Sequence, residues 1–338
     1  MSGEPNRVSL RRVFALVTGG GGRLGNVLVR QLIENGEKVR VLEPGGLPES
    51  LTGLDIEFMS GSVLDAADVA RATDGVDVVY HLAAKIDLSP KKDPMMYTLN
   101  VEGTRKVVDA CLSRGLRLVH TSSHHAVVRE PLDEPLTEEK PLALDEKCEY
   151  HRSKAIGETI VLDACERGLD AVIVNPGSMI GSHDYEPSII GSVLIDLYFG
   201  RVPVLLDMLS DYVDVRDVAN GMITAAEKGR RGERYFLTGD VIPVTEMVSL
   251  FGELTGAKVP TRALPLWVGW CLLPLALAGS AVTKKEPFIT ADMLRASVSN
   301  EVVSHDKAHS ELGYTIRPLR ESLTAALQWY RERGWLDA

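Results

Sequence analysis

Tyr150 and Lys154 stand four residues apart, which on a helix puts them on one face, a single turn from each other. A phenol with a pKa of about 10 is a poor base at neutral pH. A neighbouring ammonium favours the phenolate, as would the positive ring of an oxidised nicotinamide. Tyr150 could then take a proton from an alcohol while hydride leaves the same carbon. Ser123, just after the apolar run Leu116 to Thr121, could hydrogen-bond the alcohol oxygen, with Ser122 as its rival. Strand-end capping is the plain alternative for both serines. His124 and His125 follow at once, and neighbours on extended chain point to opposite faces, so they make a poor metal pair. His124 is a candidate substrate contact, and no metal is expected.

A second constellation would hold the hydride acceptor. Thr18 to Gly25 reads T-G-G-G-G-R-L-G and follows the apolar run Val13 to Val17. Gly20, Gly22 and Gly25 fit G-x-G-x-x-G, while Gly19, Gly22 and Gly25 fit G-x-x-G-x-x-G. Glycine lets backbone approach a pyrophosphate, and the helix expected from Arg23 to Asn35 would aim its N–H groups at that anion. Strand, glycine loop and helix in this order point to a dinucleotide site. Glu43 closes the second strand about twenty residues on, where a carboxylate accepts from ribose hydroxyls and repels the extra phosphate of NADP. NAD is therefore the expected cofactor and NADP the less favoured one. Arg23 and Arg40 are cations that could soften that preference.

The elements that must position these groups alternate. Strands are expected at Val13–Val17, Val39–Glu43, Ile56–Met59, Val76–Leu82, Leu116–Thr121 and Ala171–Val174. Helices fall between them, notably Asn100–Arg114 and Tyr150–Arg167. This rhythm predicts an α/β fold, a Rossmann-type doubly wound parallel sheet. After Pro176 the rhythm changes to short strands and then helices. The division expected is 1–176 for the NAD-binding domain with the Ser/Tyr/Lys set. A smaller, mostly helical substrate-binding region, 177–338, follows, with about 212–240 returning to the core.

The whole chain limits the partners. Its 338 residues are 45% hydrophobic and 25% charged with a net charge of −10, so nucleic acid is not expected. Four scattered cysteines show no disulfide framework, which fits a reducing compartment, and a cytoplasmic location is expected. Leu264 to Val282 carries no charge. Pro265 and Pro274 argue against a membrane span, and the leading expectation is a buried helical hairpin or lid. Contact with a membrane surface through 264–282 is the alternative.

Taken together, the motifs resemble those of the extended short-chain dehydrogenase/reductase family. They include Val79-Tyr80-His81-Leu82-Ala83-Ala84, Asn100-Val101-Glu102-Gly103-Thr104, Thr121-Ser122-Ser123 and Asn175-Pro176-Gly177-Ser178-Met179-Ile180-Gly181. Tyr212 to Ala219 and Tyr150/Lys154 complete the series. Ala84-Lys85-Ile86-Asp87 and Leu264-Pro265-Leu266-Trp267 are similar to the 3β-hydroxysteroid dehydrogenase and dihydroflavonol reductase branch. The resemblance implies Ser123, Tyr150 and Lys154 as catalytic, with Lys154 also holding the nicotinamide ribose. It implies cofactor contacts at Gly19, Gly22, Arg23, Leu24, Gly25, Glu43, Ser62, Val63, Leu82, Ala83, Ala84, Asn100 and Pro176, besides Tyr150 and Lys154. Lys85, Ser122, His124, Ser178 and Met179 are the substrate candidates. Two departures stand out: Gly61-Ser62 where the family commonly has an aspartate, and Ser182 where it has a proline after Gly181. The implied activity is hydride transfer between NAD and a secondary alcohol or ketone of an apolar ring system, steroid- or terpenoid-like. Nucleotide-sugar epimerisation or dehydration on tightly held NAD is the alternative, and a non-catalytic dinucleotide sensor a lesser one. A homodimer is implied through the helices beginning near Asn100 and Tyr150.

Overall fold

The computed structural model describes residues 12–89, 93–283 and 289–337. Its main sheet has seven parallel strands in the order β10-β6-β5-β4-β1-β2-β3. These are β1 (Phe14–Thr18), β2 (Lys38–Glu43), β3 (Glu57–Ser60), β4 (Val78–His81), β5 (Arg117–Thr121), β6 (Ala171–Pro176) and β10 (Arg234–Leu237). The reversal of strand order between β1 and β4 creates the crevice where doubly wound sheets bind ligands.

Alternation along each strand explains the two covered faces. Ala15 and Val17 of β1 join a cluster with Leu28 and Met222, on helices α1 (Arg23–Glu34) and α7 (Val215–Lys228). Leu16, between them, joins the opposite cluster with Val69, Val107 and Val161. Those residues come from α2 (Ala66–Ala72), α4 (Thr104–Arg114) and α5 (Glu149–Glu166). A parallel sheet buried on both faces needs this continuous apolar character.

The expected long helix from Asn100 starts differently. A short α3 (Pro94–Tyr97), N-capped by Asp93, runs into a π-helical turn at Thr98–Gly103 before α4 begins. Such turns are frequent at functional sites, and this one contains Asn100.

After β6 the chain builds a second layer. A small sheet in the order β11-β9-β7 joins β7 (Ser178–Ile180), β9 (Leu209–Asp214) and β11 (Asp240–Pro243). Helix α6 (Ile189–Tyr198) follows β7, while α7 and β10 return to the main sheet beside α1 and β6. A third apolar cluster unites α6, α8 (Val244–Thr255) and α12 (Leu319–Glu332). A two-residue strand β8 (Leu205–Leu206) pairs in parallel with β12 (Ala263–Leu264).

The expected buried hairpin at 264–282 is not formed. One continuous helix, α9 (Leu266–Thr283), carries Pro274 within it. Its Gly269 face packs so closely that an added Cβ would lie 2.7 Å from Leu294 of α10 (Ala291–Ala296) and 3.1 Å from Leu206. The other side is bare, with Trp267 65% and Leu275 70% exposed. Among the described residues no helix is long and apolar enough to cross a membrane. Helix α11 (Asp306–Leu312) lies on α7 and β10.

Candidate active site

The glycine loop is shaped by sterics at two positions. Gly19 has φ +75°, and a Cβ there would sit 2.6 Å from the Ala83 nitrogen. At Gly25 a Cβ would fall 2.0 Å from the Gly19 carbonyl. Gly22 is different: its nearest contact would be 3.4 Å, so nothing inside the chain demands glycine there. Space beside Gly22 and the buried start of α1 at Leu24 fit the approach of a pyrophosphate.

Glu43, at the end of β2, accepts from the Gly21 N–H at 2.6 Å. Burial pushes its carboxyl up and the Gly21 bond pulls it back. The carboxylate is thus pinned against the loop, as a ribose acceptor should be. Neither arginine competes with it there. Arg40 donates to Glu57 and to the carbonyls of Ala72 and Asp74. Arg23 donates to the carbonyls of Met179 and Gly181 and to Ser188, fastening the loop after β7 to α1. Its side chain therefore reaches the segment after β6, and only its backbone remains on the loop.

Next along the sheet edge, Leu82 N–H donates to the Thr18 carbonyl, and Ala83 N–H to the Thr18 hydroxyl. Ala84, half-buried, leads to Lys85. Asn100 accepts from the Lys85 N–H at 2.8 Å and donates to its carbonyl at 3.0 Å. The same Asn100 amide donates to Ser153, whose hydroxyl donates to the Tyr150 carbonyl. The Lys85 ammonium pairs with Asp93. Ser62 N–H donates to Asp68 of α2 at 2.9 Å. Val63 is buried against Gly103.

Ser123 and Tyr150 meet. Their hydroxyls hydrogen-bond, which pulls the Tyr150 phenol down, but burial dominates and raises it to about 12. Ser123 also accepts from the His125 N–H, so capping the turn and facing Tyr150 are compatible tasks. Ser122 lies on the other side, beside the buried Glu158. The lowering of Tyr150 by Lys154 expected from the spacing is corrected by the structure. The Lys154 ammonium donates to the Thr121 carbonyl at 2.9 Å, and Lys154 is not among the causes that shift the phenol. Burial drags it down to about 8, against the upward pull of Glu158.

His124 turns away from the groove. Its Nδ1 meets the Pro176 carbonyl at 3.1 Å, and its Nε2 lies 3.6 Å from Asp211. Ser178 and Met179 form the start of β7, and Ser178 accepts from Ser210. Asp211 explains Gly177, where a Cβ would sit 1.7 Å from its Oδ2. The sequence reasoning missed Asp211, Ser153 and Asp68, and gave no role to Thr18 and Thr121, which stand inside recognised motifs.

A doubly wound sheet with a glycine loop, a carboxylate pinned against that loop and a Ser/Tyr/Lys set on its carboxyl edge defines an NAD-dependent short-chain enzyme. Residues 15–237 match the model of the NAD dependent epimerase/dehydratase family, and the chain belongs to that family. It is 33% identical to sterol demethylase protein B of Methylococcus capsulatus, over 95% of this chain and 99% of that one. It is 27% identical to the mouse sterol-4-alpha-carboxylate 3-dehydrogenase, decarboxylating, over 90% and 86%. The crystal structure of gox2253 superposes with a TM-score of 0.82 at 32% identity, covering 95% of this chain and 99% of that one.

Proposed function

We propose that the protein oxidises a secondary alcohol, or reduces the matching ketone, on an apolar, sterol-like ring substrate. The observation that carries this is the contact of the Ser123 hydroxyl with the Tyr150 phenol at the carboxyl edge of β5. Bound NAD would supply the hydride acceptor and a positive ring. Glu43 would hold its ribose hydroxyls, and the loop around Gly22 its pyrophosphate. Lys154, kept in place by Thr121, would hold the second ribose. Ser123 would hold the substrate oxygen in line, and Tyr150 would take its proton. With the phenol raised to about 12 by burial, that transfer requires a positive charge close by, which only the occupied site supplies.

Similarity to two proteins named for sterol chemistry supports the ring substrate. The exposed flank of α9, with Trp267, Trp270, Leu275 and Leu277, suits contact with a lipid surface that would store such a substrate. Arg216, a cation that a sugar diphosphate would need, is spent on a bidentate pair with Asp214. The substrate half would be 177–338, and a second copy would dock on the α4–α5 face. NADH formation from a panel of 3-hydroxysteroids and simple cyclic alcohols tests the activity, with NADP as the control cofactor.

A further inference from the structure

Glu158 stands one helical turn beyond Lys154 on α5 and is wholly buried. A carboxylate taken out of water is costly unless cations and hydrogen bonds compensate it. Its Oε1 accepts from the Asn175 side-chain amide at 2.5 Å. That amide also donates to the Ser123 carbonyl at 2.9 Å, at the turn that carries the reacting hydroxyl. Arg234, at the start of β10, brings Nη1 within 3.7 Å of the second Glu158 oxygen. Neither of those two atoms has a hydrogen-bond partner, so Arg234 holds Glu158 by charge alone. One buried carboxylate thus touches both the lysine and the serine of the catalytic set, the serine through Asn175.

The other titratable groups coupled to Lys154 among the described residues carry no negative charge. Burial, together with the Lys154 charge itself, keeps His81 of β4 and His120 of β5 neutral. Tyr150 stays protonated, and the Thr121 carbonyl takes one ammonium hydrogen. Glu158 is the group that opposes the burial of Lys154. Burial pushes the Glu158 carboxyl up as well, while Ser122, Arg234, Asn175 and Lys154 pull it back toward the charged form.

We infer that Glu158 is a positioning residue: its carboxylate keeps Lys154 an ammonium able to donate to the nicotinamide ribose, and through Asn175 it fixes the backbone at Ser123. This rests on the placement of Lys154 at the second ribose proposed above, and it needs no particular substrate. An ammonium has three N–H donors, so one can serve Thr121 and two the ribose hydroxyls. A neutral amine has two, and with Thr121 served only one would remain.

The test uses the full chain, first free and then titrated with NAD. In the free protein the Lys154 side chain, followed by 15N NMR, should titrate at about pH 8. Glu158→Gln keeps the size and an acceptor for Asn175 but drops the charge. It should move that midpoint down by about one pH unit or more. NAD affinity, read by fluorescence titration against pH, should follow. It should weaken by up to about tenfold per pH unit above each protein's own midpoint, and match wild type well below both. Glu158→Asp retains the charge but draws it back by a methylene group. It should fall between the two, and serves alone if the glutamine variant does not fold. A Lys154 midpoint equal in wild type and variants overturns the inference. So does a loss of NAD affinity of the same size at every pH, which is what a purely structural role would give. A midpoint that moves while NAD affinity stays level with pH would keep the coupling of Glu158 to Lys154 and sink the placement of Lys154 at the ribose.

Discussion

Lys154 gives its ammonium to the Thr121 carbonyl at 2.9 Å, although Tyr150 lies one helical turn before it. The lysine thus ties α5 to the end of β5, the two elements that carry Tyr150 and Ser123. Its burial has a stability consequence. With its pKa drawn down to about 8 from 10.5, the unfolded chain binds the extra proton between those values. Stability should therefore rise as pH climbs from about 8 to 10.5, by on the order of 3 kcal/mol from this group. Denaturant unfolding of the wild type and Lys154→Met across this range would show it: the rise should shrink in the variant.

The account makes Glu43 the residue that selects the cofactor. Glu43→Ala removes the acceptor pinned by Gly21. NAD affinity should fall by roughly tenfold to a hundredfold, as expected for loss of a hydrogen bond to a charged group. NADP affinity should hold or improve, because the repulsion of its extra phosphate is gone. Titration of both cofactors by fluorescence would read the change.

Two glycines of one loop should respond in opposite ways. Gly25→Ala puts a methyl group 2.0 Å from the Gly19 carbonyl and should cost about 1–3 kcal/mol along with the loop's shape. Gly22→Ala meets nothing closer than 3.4 Å and should fold within about 0.5 kcal/mol of wild type, yet bind NAD poorly. Thermal unfolding with and without NAD separates the two cases.

The bare flank of α9 makes a prediction outside the catalytic centre. Trp267→Ala and Leu275→Ala remove exposed side chains, so stability should change by under about 0.5 kcal/mol. Co-sedimentation with lipid vesicles should drop. Unchanged vesicle binding would remove α9 from any role at a membrane.

Much of this was legible in the sequence, and the physics says why. Continuous apolar runs such as Phe14 to Val17 report a strand covered on both faces, and the glycine loop announced itself through residues such as Gly19 and Gly25 that no side chain could replace. Tyr150 and Lys154 were visible by spacing, but the direction of the ammonium was not, because it depends on Thr121, a neighbour distant in sequence. The turn that holds Asn100 escaped notice since a π-helical turn has the same composition as an α-helical one. Helix α9 was misjudged as buried because its composition is apolar on every side, and only the packing of Gly269 on Leu206 and Leu294 decides which side is covered. Asp211 was unreadable for a similar reason. Its place beside His124 comes from the pairing of β9 with β7.

The most direct test of the account is NADH formation by wild type and Tyr150→Phe with NAD and a 3β-hydroxysteroid. Removing the phenolic oxygen takes away the proposed base while leaving the aromatic ring in its buried position. The account predicts turnover by the wild type and a fall of about a hundredfold to ten-thousandfold in the variant, the range for loss of a positioned acid–base group. Turnover by Tyr150→Phe at the wild-type rate would contradict it.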